Sequence, residues 1–280
     1  MSRNNEDRMG GTKKPDTGSP ALSSSPTPLE FVRPTSLVPL PSGGRFYPEG
    51  HPLHGQSELE IQQMTTAEED ILTSRALLKK GTAIDMFLQR LSGINPDDLL
   101  LGDKNAVLIQ ARVDGYGAEY VTQVSCPACN TRIKHEFDLG VYQAVEGEDP
   151  TEVEGCSITD RNTFIITLDN GWEVEVQALS GYHEKQITKA QQARKKNGLP
   201  ESMVQEQLRQ MIVSVSGHTD KATINKVIDH MSGKQSRYLR DVYQRVVPSI
   251  EMKQEVICVE CLNTSEMEVP LTADFFWPKQ

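Results

Sequence analysis

Apolar positions along the chain follow two rhythms. Ile84, Phe87, Leu88 and Leu91 recur at steps of three and four, and so do Ile224, Val227, Ile228 and Met231, and Leu239, Val242, Tyr243 and Val246. A run through Val204, Leu208, Met211, Ile212 and Val215 reads the same way, and Ala106, Val107 and Ile109 form a shorter stripe. That period places each set on one buried face of a helix. Elsewhere the step is two. Leu59 and Ile61, Tyr120 to Val124, Ile133 to Phe137, Phe164 to Leu168, Trp172 to Val176, Ile250 to Val256 and Met267 to Leu271 read as strands.

Turn chemistry punctuates these runs. Thr65 with Glu68 forms a capping-box pattern at the start of a helix carrying Ile71 and Leu78 on its apolar side, with Glu69 and Asp70 suiting its positive end and Gly81 stopping it. Thr82 stands where the next helix needs a cap, and Asn95-Pro96-Asp97-Asp98 marks a turn. Gly102-Asp103 leads a helix that ends near Gly115 and Gly117, with the charges of this module placed mostly at caps. Asn170-Gly171, flanked by alternating runs, is a strong hairpin signal. A helix from Ser180 ends in Lys189, Arg194, Lys195 and Lys196 and is stopped by Gly198; Gly217 and Pro248 close later stripes.

The expected organisation is a disordered tail over 1–37 and an extended segment with a helical module over 38–118. Half of a cysteine ribbon follows over 119–145, then a linker and hairpin over 146–180. A second helical module spans 181–249, and the other ribbon half with an aromatic tail spans 250–280. The tail is rich in Ser, Pro and Thr and cannot bury enough apolar surface to offset its ordering entropy; Leu37 and Val38 are a short anchor at its end. Pro and Gly in 40–48 make that stretch irregular, with Phe46 and Tyr47 packed. Phe275, Phe276 and Trp277 dock either on the chain itself or on another protein. Arg237 and Arg240, one turn apart, are expected to meet acids of this chain or of a partner.

Cysteine spacing changes the picture most. Cys126-Pro127-Ala128-Cys129 and Cys258-Val259-Glu260-Cys261 each lie between two strand-like runs. Strand, knuckle, strand, twice over, is the pattern of a four-cysteine zinc ribbon, because Zn2+ takes four soft ligands in a tetrahedron. The fold class is then α+β, with helical modules around a split zinc ribbon of β-hairpins. More than a hundred residues separate the pairs. Closing such a loop costs about 4 kcal/mol, whereas a structural zinc contributes on the order of 10–16 kcal/mol. Full thiolate ligation leaves no position for substrate, so the expected metal is structural. Two half-sites shared between self-associated copies and a redox dithiol are the rival readings, and His135 is a rival ligand. The fifth cysteine, Cys156, reads as a plain small side chain.

Little points to catalysis. Gly-x-Ser-x-Gly, the phosphate-binding loop and His-Glu-x-x-His are all missing; His183-Glu184 starts the last without a second His, and Ser42-Gly43-Gly44 lacks the Lys-Ser/Thr of a phosphate loop. A net charge of −10 argues against nucleic acid and anionic membrane as partners. The alternative of a nucleic-acid-binding zinc ribbon rests on the basic run at 189–196. No apolar run reaches the length of a membrane span, the N-terminus carries no apolar signal core, and paired metal-spaced cysteines fit a reducing cytosol.

An ordered set of short motifs carries a resemblance. It comprises Leu40-Pro41-Ser42-Gly43-Gly44-Arg45-Phe46-Tyr47-Pro48, Met64-Thr65-Thr66-Ala67-Glu68-Glu69-Asp70-Ile71-Leu72, Lys79-Lys80-Gly81-Thr82, Leu101-Gly102-Asp103-Lys104-Asn105-Ala106, Gly115-Tyr116-Gly117 and the first cysteine knuckle. In this order they resemble the baseplate hub assembly proteins of T-even-type phages with contractile tails. The similarity is strongest over 40–129 and looser through Ser236-Arg237 to the second knuckle; the N-terminal tail departs from it. The resemblance implies a non-enzymatic scaffold or chaperone for hub subunits, acting in the host cytoplasm during assembly either as an assembly factor or as a resident subunit of the virion tail baseplate, with baseplate or tail-hub proteins as partners. It assigns no catalytic residue.

Overall fold

In the computed structural model, residues 32–270 and 273–276 are described. The expected disorder of the first thirty-one residues, and Trp277, lie outside them. Eight helices and twelve strands are present among the described residues. They are organised around two hydrophobic cores.

The first core is made by both ends of the described chain. Strand β1 (Thr35–Pro39) pairs antiparallel with β2 (Glu58–Gln62), burying Val38, Leu59 and Ile61. The strand thus begins inside the stretch expected to be tail, and its partner β2 belongs to the same chain. Helices α1 (Thr66–Thr73), α2 (Arg75–Lys80), α3 (Ala83–Ser92) and α4 (Leu101–Tyr116) follow. The single helix expected up to Gly81 is broken at Ser74, whose ψ of 106° is extended, and Leu78 is left exposed. Gly81 ends α2 in the left-handed conformation, as its position suggested. The Thr65 cap forms, with the Glu68 carboxylate accepting from the Thr65 amide at 3.0 Å. Thr82 occupies the cap position of α3 without a side-chain cap bond. Hairpin β3 (Glu119–Ser125) and β4 (Arg132–Asp138) comes next, then a 3-10 turn at Leu139–Val141.

Strand β5 (Gln143–Val145) leads into the second core, which is continuous in sequence. There β6 (Cys156–Ile158), β7 (Phe164–Thr167), β8 (Glu173–Val176) and β9 (Ile212–Val215) form an antiparallel sheet in that order. Helices α5 (Gly181–Lys196), α6 (Met203–Met211), α7 (Lys221–His230) and α8 (Gly233–Val246) accompany it. The hairpin at 164–176 and the later stripes, separate segments in the sequence, share this core. The helical run expected to reach Val215 ends at Met211. Ile212, Val213 and Val215 are β-branched, and the edge of β8 offers them ladder hydrogen bonds, with Val174 opposite Val215 and a bulge near Val176. The second module is therefore a sheet with helices and not helices alone.

The chain then returns to the first core. β10 (Ser249–Glu251) pairs with β5, and β11 (Lys253–Ile257) pairs with β12 (Thr264–Glu268). A last 3-10 turn, Ala273–Phe276, buries Phe275 against Tyr120 and Phe276 against Phe87, with ring centroids 5.2 and 5.1 Å apart. These two aromatics thus dock on their own chain.

The two cores meet closely. Tyr47 is buried in the first, while Phe46 sits against Phe164 of the second, 5.5 Å between centroids. Gly181 lies so near Pro96 that a Cβ would stand 2.1 Å from its carbonyl oxygen, and a Cβ on Gly102 would stand 2.5 Å from that of Pro248. Lys104 bridges Asp85 and Glu184, and Lys185 bridges Asp85 and Asp97. No described helix is long and apolar enough to cross a membrane.

Candidate metal centre

The two knuckles are built alike, residue for residue. Each hairpin pairs in register up to its knuckle, ending at Ser125 opposite Arg132 and at Ile257 opposite Thr264. In the first, the Cys126 amide donates to Thr131 O and the Asn130 amide to Cys126 O, both at 2.9 Å. In the second, the Cys258 amide donates to Asn263 O and the Leu262 amide to Cys258 O, again at 2.9 Å. The residue after each second cysteine, Asn130 or Leu262, has a positive φ, 59° and 57°. That left-handed step turns the chain back into the second strand of the hairpin.

Packing brings the knuckles together. Tyr120, Val124, Ile133 and Phe137 from one hairpin and Val256 and Val269 from the other enter the first core. Gln254 bonds both backbone groups of Asp138, at 3.0 and 2.6 Å, and the Tyr120 hydroxyl donates to Pro270 O at 3.1 Å. The four Sγ atoms lie within 4.8 Å of one another, with Cys126–Cys261 and Cys129–Cys258 each at 3.7 Å. Four thiolates at roughly 2.3 Å around one tetrahedral ion stand about 3.8 Å apart. Cys126, Cys129, Cys258 and Cys261 are therefore compatible with one metal between them. Cys126 and Cys258 are buried, and Cys129 and Cys261 face solvent.

Electrostatics suit a cation here. Hydrogen bonds from the Thr131 side chain and backbone push the Cys129 thiol down to about 6. At Cys261 the Asn263 backbone favours the thiolate, but the sulfurs of Cys129, Cys258 and Cys126 outweigh it and push the thiol up to about 12. Crowded thiolates repel, and a divalent ion among them removes the conflict by accepting all four.

The other candidates do not join this cluster. His135 lies edge-to-face on Phe137, 4.6 Å between centroids, and contributes no atom to the sulfur group. Cys156 sits in β6, half-buried, its thiol pushed up by burial. Lys189, Lys195 and Lys196 are exposed at the end of α5, where Arg194 bonds Pro200 O. Arg240 bonds Ser236 O within its own helix, while Arg245 pairs with Glu148 of the acidic link.

Helix α4 holds what the sequence reading missed. Three of its charged residues are buried, although charges there were expected at caps. The Asp103 carboxylate accepts from the Ser42 amide at 3.0 Å, the Ser42 hydroxyl at 2.6 Å and the Tyr47 hydroxyl at 2.7 Å. Burial still raises its pKa. Arg112 donates to the carbonyls of Phe275, Gly117 and Glu119, fastening the last turn of the described chain to α4. The signal was present: Asp103 and Arg112 lie three residues from Ala106 and Ile109, on the apolar face. These groups tie the 40–48 segment and the final aromatics to the first core.

Fold and thiol cluster together define a mixed helix-and-strand protein assembled on a four-cysteine centre. Residues 35–277 match the family described as T4 bacteriophage base plate protein, and the chain belongs to that family. No curated protein and no solved structure matches it. The family places the chain among the structural proteins of the phage tail baseplate, with other baseplate proteins as its neighbours.

Proposed function

We propose that this protein is a non-enzymatic scaffold or chaperone in assembly of the baseplate hub, working in the host cytoplasm and bringing hub subunits together on a zinc-fixed framework. The family match across both knuckles carries the reading. The chemistry of the cluster supports zinc: four sulfurs, near-tetrahedral spacing and no oxygen ligand fit a structural site that leaves no open position for substrate. The metal supplies closure, holding β3–β4 against β11–β12. Deletion of the gene in the phage that carries it is expected to give tails without baseplates, restored by the full chain; normal tails without the gene overturn the role. Metal analysis of purified protein is expected to find one zinc per chain on a monomer. Two half-sites shared between copies give the same ratio, so zinc that is lost when the protein is diluted to a monomer supports sharing, and a chain purified without metal overturns the zinc framework.

A further inference from the structure

The two hairpins match in backbone and differ in what they show to solvent. Around the first knuckle the positions are Pro127, Ala128 and Asn130; the equivalents in the second are Val259, Glu260 and Leu262. Val259 is 74% exposed and Leu262 78%, and Ile257 beside them is 55% exposed. Scattered apolar residues are ordinary on a surface. Three within six residues, on a rigid knuckle, are not scattered.

Leu262 sharpens the point. Its φ of 57° is one that glycine or asparagine tolerates and leucine resists, and the first knuckle has Asn130 there. The leucine side chain is exposed, so the fold gains little burial in return for the strain. Unrelieved strain in an exposed apolar residue points to a role outside the chain.

Charge identifies what the tip fits. On the outward face of the second hairpin Glu255 stands directly opposite Glu266, a like-charge cross-strand pair that destabilises a sheet. Neither makes an ion pair among the described residues. Next to them Lys253 lies opposite Glu268 and is already paired with Glu251. At the equivalent positions near its knuckle the first hairpin carries mixed pairs, Gln123 opposite Lys134 and Ser125 opposite Arg132; its one like-charge pair in that register, Glu119 opposite Asp138, lies at the far end of the hairpin. We infer that the second knuckle is a docking prong: Ile257, Val259 and Leu262 enter an apolar groove of another tail protein, and Lys or Arg residues on the rim of that groove meet Glu255 and Glu266. This rests on the baseplate reading above and names the surface through which it acts.

The test uses the full chain in a deletion background. The variant Ile257→Thr/Val259→Thr/Leu262→Asn is expected to lower infective yield about tenfold or more, a loss of one strong anchor, with metal content and melting temperature at least those of the wild type. Glu255→Gln/Glu266→Gln relieves internal repulsion, so it is expected to melt higher and yet to lower yield. Pro127→Ala/Ala128→Ser, on the first knuckle, is expected to restore full yield. A photo-cross-linking residue at Val259 is expected to capture a tail protein through a peptide with Lys or Arg beside apolar residues. Full yield from both second-knuckle variants overturns the proposal. So does a cross-link confined to a second copy of this chain, or to an acidic peptide, or no cross-link at all. Normal tails in the deletion strain sink the baseplate role instead, and the cross-link from Val259 still decides the surface.

Discussion

The two cores are closed by different means. The second is continuous in sequence, and a sheet of neighbouring strands with its own helices completes it between Val153 and Val246. The first joins residues from the two ends of the described chain. Its two halves are separated in sequence by the whole of the second core. Loop-closure entropy therefore weighs on the first core and hardly on the second. The first also concentrates the cross-chain fastenings: the sulfur cluster, the Arg112 guanidinium on Phe275 O, and Tyr120 on Pro270 O. A core assembled from distant segments needs directional ties, because apolar contact alone does not specify which segments meet.

The largest expected effect breaks the first core alone. Cys258→Ser is expected to lose the metal and cost about 5 kcal/mol or more, given what structural zinc contributes. Denaturation with parallel metal analysis reads this. Hydrogen exchange is expected to retain protection at Val174 and Leu239 of the second core while it collapses at Val124 and Val256. Equal loss in both cores would show that the closure is shared.

Arg112→Met comes next. It removes a buried charged donor from three carbonyls, an expected loss of about 3–5 kcal/mol in urea unfolding. Metal content is expected to stay full, separating this fastening from the sulfur cluster. A variant as stable as the wild type would mean that water serves those carbonyls equally well.

A smaller tie lies at Glu68, which is buried and pairs with Arg33 at 2.6 Å and Arg90 at 2.9 Å. Burial raises its pKa, but the Thr65 hydroxyl and amide and the two arginines outweigh it, so the folded value lies below the ordinary 4.5. Its stabilisation is therefore complete above 4.5 and is lost as pH falls through the lower folded value. Glu68→Gln is expected to cost about 1–3 kcal/mol at pH 7, with the gap to wild type closing in acid. A gap independent of pH would assign the effect to packing.

The smallest effect has the opposite sign. Leu262→Gly relieves the left-handed backbone and is expected to stabilise the first core by about 1 kcal/mol or less, read as a rise in melting temperature. A fall would mean that the leucine packs on its own chain.

Much of the local structure was legible. The periodic stripes in α3, α7 and α8 were, and so was the hairpin at Asn170-Gly171, since each depends on neighbours a few positions away. The cysteine pairs were also legible, because a two-residue spacer between strand-like runs has few other uses. Where local signals compete, the sequence misled. Ile212 to Val215 fits a helical stripe and a strand equally, and the free edge of β8 decided for the strand. At Ser74 an expected helix breaks and Leu78 turns to solvent. β5 is exposed and short, and its partner β10 comes only after the whole second core in the sequence, so no local signal marks the pair.

The amino-acid order alone determined which residues are helical or extended over most of the chain, and which thiols could share an ion, because backbone sterics and ligand spacing act over short stretches. Only the tertiary structure decided that the two ends of the described chain build one core around an inserted second, that Asp103 and Arg112 are buried ties, and that Leu262 is left exposed in a left-handed conformation. Burial is indifferent to sequence distance, so such partners are chosen by the whole fold.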